Sequence, residues 1–336
     1  MIILKMVINM KFLFFTDTHI RGNNPKSRKD NFVETLKNKF IELVEVTKSE
    51  KIDAVLFGGD LFERPDVSIS VVKEFLSIIK RFPLPIYSVI GNHDVFGQNP
   101  EVVGKTMLGI LEETGIIEFL SKEPKLFAGE GKTVQITGGH YFYGVDDENK
   151  DSYILNEKSA DFAIHIVHGF LLDRPFIKGI HHTLIDEICN KTMADITIAG
   201  HYHSGFGIKK YDKKYFINPG AIARVSNSIS EIDRMPSYLV IEINDDISIE
   251  LRQLKCAKKG EEVLDKEKLQ EEYKKMNLIN EFANQITSYG NFETLKLEKL
   301  INEIATIENI PEDIKKEALD RLTKAQELIS LEEVID

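Results

Sequence analysis

The chain has 336 residues, 42% of them hydrophobic, which is enough for one large domain with a sizeable core and an additional segment. Its two cysteines, Cys189 and Cys256, lack CxxC spacing, which argues against a secreted disulfide scaffold and favours a reducing, cytoplasmic location. The net charge of −11 argues against binding of nucleic acid through a general excess of lysine and arginine. Most of that charge follows residue 260, where 19 acidic residues outnumber 10 basic ones.

The amino-terminal segment is apolar, but Lys5 and Lys11 interrupt it and no small-residue cleavage site follows. The segment is also too short to cross a bilayer, so we predict neither a signal peptide nor a membrane span. We expect residues 11–15 to form the first buried strand. Residues 1–9 then form either an additional edge strand or an extension ahead of a second start at Met10.

Short β-rich apolar runs then alternate with amphipathic helical stretches, which indicates βαβ architecture. In chain order we predict a helix at 30–49, a strand at 54–58, a helix at 67–81, a strand at 86–91, a helix at 101–114, and strands at 134–137, 141–145, 162–168, 196–200, 206–218 and 238–253. The later strands have few long helices between them. The predicted fold is therefore an α/β (α+β) sandwich of two sheets flanked by helices.

The composition changes after Lys259 to Glu, Lys, Leu and Ile without a strand pattern, so we divide the chain into domains at 1–258 and 259–336. Apolar residues recur at helical spacing from Leu269 to Ile286. A break at 288–291 and a helix start at Pro311 predict three helices in this appendage. Such amphipathic helices are too few to bury a large core and are typical of a partner-binding region.

Five short segments place polar side chains at the ends of predicted strands, where an α/β fold locates its chemistry. They are Asp17-Thr18-His19, Gly59-Asp60, Gly91-Asn92-His93-Asp94, His168-Gly169 and Gly200-His201-Tyr202-His203. Side chains two residues apart face the same side of an extended segment, so Asp17 with His19, and His201 with His203, are able to reach one site. Each segment alone is most often an ordinary turn. Their joint occurrence favours a metal site.

The order DxH, GD, GNHD, H, GHxH resembles the ligand signature of the calcineurin-like metallophosphoesterases. The spacing of GGDLF and GNHD, and the phrase FINPGAIAR at 216–224, resemble SbcD-type DNA repair nucleases over residues 11–225. Glu63, after GGDLF, departs from the His or Asp that many of those nucleases carry there.

The resemblance implies two divalent metal ions, Mn²⁺ by analogy. One ion would be held by Asp17, His19, Asp60 and His203, and the other by Asp60, Asn92, His168 and His201. A shared carboxylate at Asp60 would offset the repulsion between two cations about 3.5 to 4 Å apart.

The resemblance also implies that His93 is a catalytic residue that faces the substrate as a general acid. Asp94 is expected to hydrogen-bond the other ring nitrogen of His93 and fix its orientation. The expected reaction is metal-dependent hydrolysis of a phosphodiester bond without a covalent intermediate. The other histidines, His140, His165, His181 and His182, are expected to be structural or solvated.

Three functions remain open. The leading hypothesis is a DNA exonuclease and endonuclease that acts in DNA repair or recombination as a homodimer with an SbcC-like coiled-coil ATPase bound to its C-terminal helices. Val71–Phe82 and Met107–Leu111 would form the dimer surface or pack in the core. The alternatives are a stand-alone phosphoesterase for small phosphodiesters, cyclic nucleotides or phosphoproteins, and a non-catalytic scaffold. If the basic run at 209–214 faced the metal site, it would offer DNA contacts, with Tyr211 and Tyr215 available to stack on a base.

Overall fold

The computed structural model describes residues 9–129, 131–147, 150–176, 180–225, 228–287, 301–302, 304–306, 310–318 and 321. The chain divides into two compact units, one formed by 1–226 with 230–264 and the other by 227–229 with 265–336. The expected strand or extension at residues 1–9 lies outside the described part except for Asn9. None of the helices in the described part is both long and apolar enough to cross a lipid bilayer.

The first unit contains two six-stranded sheets. The first sheet has the spatial order β14-β13-β1-β2-β3-β4. Its strands are β1 (Met10–Phe15), β2 (Ala54–Phe57), β3 (Ile86–Ser88), β4 (Ile117–Phe119), β13 (Ser237–Ile243) and β14 (Ile247–Gln253). Strands β1 to β4 run parallel, whereas β13 joins β1 antiparallel and continues into β14 through a tight turn. The carboxyl ends of β1, β2 and β3 therefore meet at one edge.

The second sheet has the spatial order β11-β12-β10-β7-β6-β5. Its strands are β5 (Lys125–Ala128), β6 (Thr133–Gly139), β7 (Phe162–Gly169), β10 (Ile196–His201), β11 (Gly207–Tyr211) and β12 (Lys214–Asn218), and a separate two-stranded sheet pairs β8 (Leu171–Leu172) with β9 (Thr183–Leu184). Strands β6, β7, β10 and β12 are parallel. Parallel pairing sets the ends of β7 and β10 side by side, with His168 opposite Gly200.

Helices cover the sheets of the first unit. They are α1 (Phe32–Ser49), α2 (Ile69–Ile79), α3 (Met107–Glu113), α4 (Ile185–Ile188), α5 (Ser230–Asp233) and α6 (Gly260–Val263), with short 3-10 turns at Phe96–Gln98, Pro100–Lys105 and Asp151–Tyr153. A further helix, α7 (Lys266–Thr287), belongs to the second unit. Helix α1 begins where the Asn31 side chain accepts a hydrogen bond from the Glu34 amide.

The core follows the two-residue period of the strands. In β1, Phe12 and Phe14 point between the two sheets, while Leu13 and Phe15 point toward α1 and α2. Ile166 and Ile198 close the space between the sheets from the opposite side. Both layers are fully buried, which fixes the strand register because a shift of one residue would exchange the two faces. The predicted two-sheet sandwich flanked by helices is confirmed.

Several local predictions differ from the structure. Residues 206–218 and 238–253 were each predicted as strand, and each forms a hairpin of two strands, β11 with β12 and β13 with β14. Residues 141–145 form turns, not a strand. Two short strands, β4 and β5, were not predicted because they have only three and four residues and carry little periodic signal. The predicted helix at 101–114 is a 3-10 turn followed by α3, since Thr106 caps a new helix by accepting from the Gly109 amide.

The second unit contains α7, which agrees with the helix predicted from the recurrence of Leu269 to Ile286. Residues 312–318 are also helical, after Pro311. The predicted break at 288–291 and the residues after 321 lie outside the described part. The division at 258/259 remains a prediction.

Candidate metal centre

The loops that follow β1, β2 and β3 meet those at the ends of β7 and β10. Backbone hydrogen bonds join them: the Asp17 amide donates to Gly59 O and the Ile222 amide donates to Thr16 O. The Ala223 amide donates to Asp17 O in the same way. The segment FINPGAIAR (216–224), singled out in the sequence, therefore holds the DxH loop through backbone hydrogen bonds.

The backbone at this junction is strained. Asp17, His19, Asp60 and His201 all have positive φ, at 54°, 46°, 56° and 76°. Such conformations cost about 1 to 3 kcal/mol each for residues with a side chain and tend to cluster at functional sites. Gly91 is required by close approach, because a Cβ at this position would lie 2.1 Å from Asp60 Oδ1.

The first ligand group consists of Asp17, His19, Asp60 and His203. One ligand atom from each lies within 4.8 Å of the others. The two imidazoles face each other with their Nε2 atoms 2.9 Å apart. Asp60 Oδ2 lies 3.7 Å from His19 Nε2, and Asp17 Oδ1 lies 3.6 Å from His203 Nε2.

The second ligand group consists of Asp60, Asn92, His168 and His201. Ligand atoms of Asp60, His168 and His201 lie within 4.8 Å of one another. Asn92 Oδ1 completes the group, at 3.1 Å from His168 Nε2 and 2.8 Å from His201 Nδ1. All seven residues that the sequence singled out as ligands are thus assembled, and Asp60 belongs to both groups.

The chemistry of these atoms fits cations. His168 Nδ1 lies 2.6 Å from Gly58 O, which only accepts, so Nδ1 carries the proton. In the neutral ring, the lone pair of Nε2 then faces Asp60 Oδ2 at 3.3 Å and Asn92 Oδ1 at 3.1 Å. As long as His168 is neutral, Asp60 Oδ2 is buried and meets no hydrogen-bond donor among the described residues. A divalent cation would satisfy these converging acceptors.

The charges in the site are strongly coupled. Burial opposes ionisation of Asp60, but the neighbouring His168 outweighs it and holds the pKa of Asp60 well below its ordinary value. Burial lowers the pKa of His168, yet Asp60 and Asp17 raise it to about 9. Burial lowers the pKa of His201 to about 3, so that ring is neutral and able to act as a ligand. In the metal-free protein a proton on His168 balances the carboxylates.

Glu63 supports the first ligand group, a role that the sequence did not reveal. Its Oε2 lies 3.0 Å from His19 Nδ1, and its Oε1 accepts from Arg21 Nη1 at 3.1 Å. The two atoms do not meet in hydrogen-bond geometry, but the negative charge of the carboxylate beside Nδ1 favours a proton there and leaves Nε2 free to bind a cation. The only signal in the sequence was that Glu63 departs from the pattern of the nuclease relatives.

His93 lies at the edge of the first group, with its ring centroid 4.8 Å from that of His19. Its amide donates to Asp60 Oδ1 at 2.9 Å, and its Nδ1 lies 2.8 Å from Glu63 O. Because a carbonyl only accepts, Nδ1 is the donor, and Nε2 remains for a substrate.

The predicted hydrogen bond between Asp94 and His93 is wrong. Asp94 Oδ2 accepts from the amides of Asp60 at 2.9 Å and Gly91 at 3.0 Å, and Oδ1 accepts from the Phe62 amide at 3.1 Å. A buried carboxylate has its lone pairs satisfied by three adjacent backbone donors more readily than by one side chain. Asp94 therefore joins the loop of Asp60 and Phe62 to the loop of Gly91 by hydrogen bonds, and it does not orient His93.

The other histidines have structural partners. His165 bonds Thr137 Oγ1 and Ser152 O, and His140 Nδ1 accepts from the Ile90 amide at 3.1 Å. His181 pairs with Asp147, and His182 Nδ1 lies 2.7 Å from Ile180 O.

The basic run at 209–214 is largely engaged in local contacts. Lys209 pairs with Asp173 at 2.9 Å, and Lys214 donates to Cys189 O and Thr192 O. Tyr211 packs on Phe216, and Lys210 lies over Tyr215. This hairpin is stabilised by contacts between its own aromatic side chains and lysines and by contacts with Asp173, Cys189 and Thr192 outside it.

Comparison with known proteins gives the family. The family model of the calcineurin-like phosphoesterases matches residues 10–205, a range that includes all seven ligand residues. The DNA double-strand break repair protein Mre11 of Methanosarcina mazei is 24% identical over 251 residues, which cover 70% of this chain and 36% of the relative. Mre11 of Methanosarcina acetivorans is 26% identical over 156 residues, or 45% of this chain and 22% of the relative. The double-strand break repair protein mre-11 of Caenorhabditis elegans is 20% identical over 291 residues, or 69% and 39%.

The chain spans less than half the length of each of these three relatives. The family match, in contrast, covers more than half of the chain and its whole candidate centre. The chain belongs to the calcineurin-like phosphoesterase family, whose members are metal-dependent hydrolases of phosphate esters.

Proposed function

We propose that this chain is a two-metal phosphodiesterase that cleaves DNA. The observation that carries the proposal is the position of Asp60, whose carboxylate is shared by two complete ligand groups. The first group would hold one ion through Asp17, His19, Asp60 and His203, and the second through Asp60, Asn92, His168 and His201. Bound divalent ions would supply Lewis acidity toward a phosphate oxygen and a water of lowered pKa.

The side chains of this chain perform the remaining steps. Asp60, which belongs to both ligand groups, would offset the repulsion between two bound cations with its negative charge. His93 donates Nδ1–H to Glu63 O, so the protonated ring presents Nε2–H toward the substrate. A proton delivered from that atom to the leaving oxygen would raise the rate by about 10² to 10⁴. Asp94 keeps the loops of Asp60 and Gly91 in register while this occurs.

Manganese is the metal that we propose. The ligands are imidazole nitrogens and carboxylate or amide oxygens without a thiolate, a set that suits Mn²⁺ or Fe²⁺ and tolerates Zn²⁺. Both cysteines are free, in keeping with the cytoplasmic location proposed from the sequence.

DNA is the proposed substrate because the relatives are DNA double-strand break repair proteins by name, and because the motif spacing in this chain resembles that of SbcD-type nucleases. By the same reasoning, the chain would act as a homodimer with an SbcC-like coiled-coil ATPase. The dimer surface proposed at 71–82 is narrow: Val72, Phe75, Ile78 and Ile79 of α2 are buried. Ile69 and Ile110 remain exposed, at 75% and 53%, and would be its apolar contacts.

A stand-alone phosphoesterase for small phosphodiesters remains the second candidate. It is favoured by the net charge of −11 and by the engagement of Lys209 and Lys214 in local contacts, which leaves few cations for a DNA backbone.

One experiment distinguishes the two candidates. Purified protein with Mn²⁺ is incubated with linear, hairpin and circular DNA, and in parallel with bis(4-nitrophenyl) phosphate. Nicking or shortening of DNA that disappears with Asp60→Ala supports the nuclease. Hydrolysis of the small diester without any cleavage of DNA would favour the stand-alone enzyme.

The partner proposal rests on the helical second unit. A chain that ends after Leu264 retains every proposed ligand and the pairing of Arg28 with Leu264. We expect it to keep metal-dependent hydrolysis and lose co-purification with a tagged SbcC-like ATPase. Equal recovery of full-length and shortened chains would place the partner surface elsewhere.

A further inference from the structure

Three aromatic side chains form a group beside the second ligand group, and we call them the aromatic cluster: Phe170, Phe176 and Tyr202. The ring of Phe170 lies 5.2 Å from that of Phe176 and 5.4 Å from that of Tyr202, in edge-to-face arrangements. Phe176 and Tyr202 are 6.2 Å apart. The three rings therefore form one contiguous surface.

The aromatic cluster adjoins the metal centre directly. Phe170 packs edge-on against His201, with ring centroids 5.6 Å apart. Tyr141 contacts the same histidine at 5.3 Å. Tyr202 lies in sequence between two proposed ligands, His201 and His203. A group bound on this surface would thus be next to a phosphate held at the ligand groups.

The aromatic cluster is not part of the interior. Phe176 is 38% exposed, and Phe170 and Tyr202 are half-buried. A ligand that covered these rings would remove apolar area from water, which would favour its binding there. Tyr211 and Tyr215, which the sequence suggested for stacking, are instead engaged within their own hairpin.

Buried polar contacts hold the aromatic cluster in place. Asp146, which is 9% exposed, accepts from the Phe170 amide at 3.0 Å through Oδ2. Its Oδ1 accepts from Thr183 Oγ1 at 2.7 Å and from the Tyr153 hydroxyl. At the other end, the Phe176 amide donates to His182 Nε2 at 3.3 Å. The position of the rings is therefore determined by the fold before a ligand arrives.

We propose that the aromatic cluster binds an unpaired nucleobase of the nucleic acid whose phosphodiester is cleaved; this inference rests on the proposed function. Nucleobases stack on aromatic rings with little dependence on sequence. Bases within a duplex are stacked on their neighbours and would have to be withdrawn first. The substrate class that follows is a single-stranded or frayed end of DNA.

The test compares two single-stranded oligomers of equal length in Mn²⁺: an oligothymidylate and an oligomer with the same phosphodiester backbone but abasic sugars. Stacking is worth about 1 to 3 kcal/mol per base, so kcat/KM of the wild type should be about 5- to 150-fold higher for the oligomer with bases. Phe176→Leu keeps apolar bulk without a π-face and should reduce that ratio at least about fivefold. Phe176→Trp should restore it.

Tyr143→Ala is the matched control, because Tyr143 is 82% exposed and lies outside the aromatic cluster. The ratio in this variant should equal that of the wild type. Equal cleavage of both oligomers by the wild type, or an unchanged ratio in Phe176→Leu, would overturn the inference while leaving the nuclease proposal intact. Cleavage of neither oligomer, with hydrolysis of bis(4-nitrophenyl) phosphate, would overturn the nuclease proposal and this inference with it.

Discussion

The two ligand groups share Asp60 but are supported by different kinds of partner. In the first group, the charge of the Glu63 side chain, 3.0 Å from His19 Nδ1, favours a proton on that nitrogen. In the second, the main-chain carbonyl of Gly58 does the same for His168. A side-chain partner is open to change by substitution, whereas a main-chain partner is retained whatever residue occupies the position. Variation among related chains should therefore affect the first group more readily than the second.

Removal of Asp60 affects both ligand groups at once, so it should have the largest effect on metal content and on hydrolysis. Asp60→Ala takes one carboxylate from each group, so we expect loss of bound metal from both and no measurable hydrolysis. Elemental analysis after gel filtration in Mn²⁺ gives the metal content. Asp161→Asn, a change at an exposed carboxylate outside the centre, serves as the control. Two equivalents of metal in Asp60→Ala would contradict the shared role.

His93 adjoins the first group but is held by the main chain, through Glu63 O. We expect His93→Gln to retain full metal content and to lose about 10² to 10⁴ in kcat, the usual contribution of a positioned acid. Steady-state rates with bis(4-nitrophenyl) phosphate and metal analysis on the same sample measure both quantities. His181→Gln, a change at an exposed histidine outside the centre, is the control. An unchanged rate would exclude His93 as the acid.

Substitution of Glu63 tests directly whether the two ligand groups are supported separately. Removal of such a carboxylate partner usually weakens metal binding about 10- to 100-fold, and Glu63→Ala should weaken the first site much more than the second, which is affected only through the shared Asp60. Glu63→Gln, whose amide oxygen is still an acceptor for His19 Nδ1, should be intermediate. Calorimetric titration with Mn²⁺ resolves the two affinities. A parallel loss at both sites would show that the two groups are not separately supported.

His140 supplies side-chain support near the second group, because its Nδ1 accepts from the amide of Ile90, two residues before Asn92. Burial lowers the pKa of His140 to about 4, so the folded protein binds fewer protons than the unfolded chain between pH 4 and 6.5. Its contribution is present above pH 6.5 and is lost as the pH falls toward 4. The free energy of unfolding should drop by up to about 3 kcal/mol through this residue.

Urea unfolding of the metal-free protein, followed by circular dichroism at several pH values, measures this effect. His140→Gln retains an acceptor but does not titrate, so the difference in unfolding free energy between wild type and variant should shrink as the pH falls. A difference that does not change with pH would assign the acid sensitivity to other groups.

The ligand segments and the two-sheet architecture were predictable because each has a strong local signal. The two-residue spacing within each ligand pair, Asp17 with His19 and His201 with His203, is visible in the sequence itself. The strands β1 and β7 are long apolar runs. The strands β4 and β5 were missed because their stability comes from pairing with β3 and β6, which no local pattern reports.

The partners of Glu63 and Asp94 were not predictable for a related reason. The contact between Glu63 and His19 joins residues on different strand-end loops, and the turn geometry decides it. Asp94 was expected to bond its neighbour in sequence, but the loop turns its carboxylate toward the amides of Asp60, Phe62 and Gly91. Both contacts depend on the local backbone conformation of the loops. The residue types at these positions do not determine that conformation.

The shared carboxylate of Asp60 has a thermodynamic consequence. Because one side chain serves both ligand groups, filling either group alters the charge and the orientation available to the other. The factor by which the first occupant changes the affinity for the second must equal the factor for the reverse order, since both routes connect the same end states. With both groups occupied as proposed, uptake and release of the two ions would form one linked equilibrium, and no single dissociation constant would describe either ion alone.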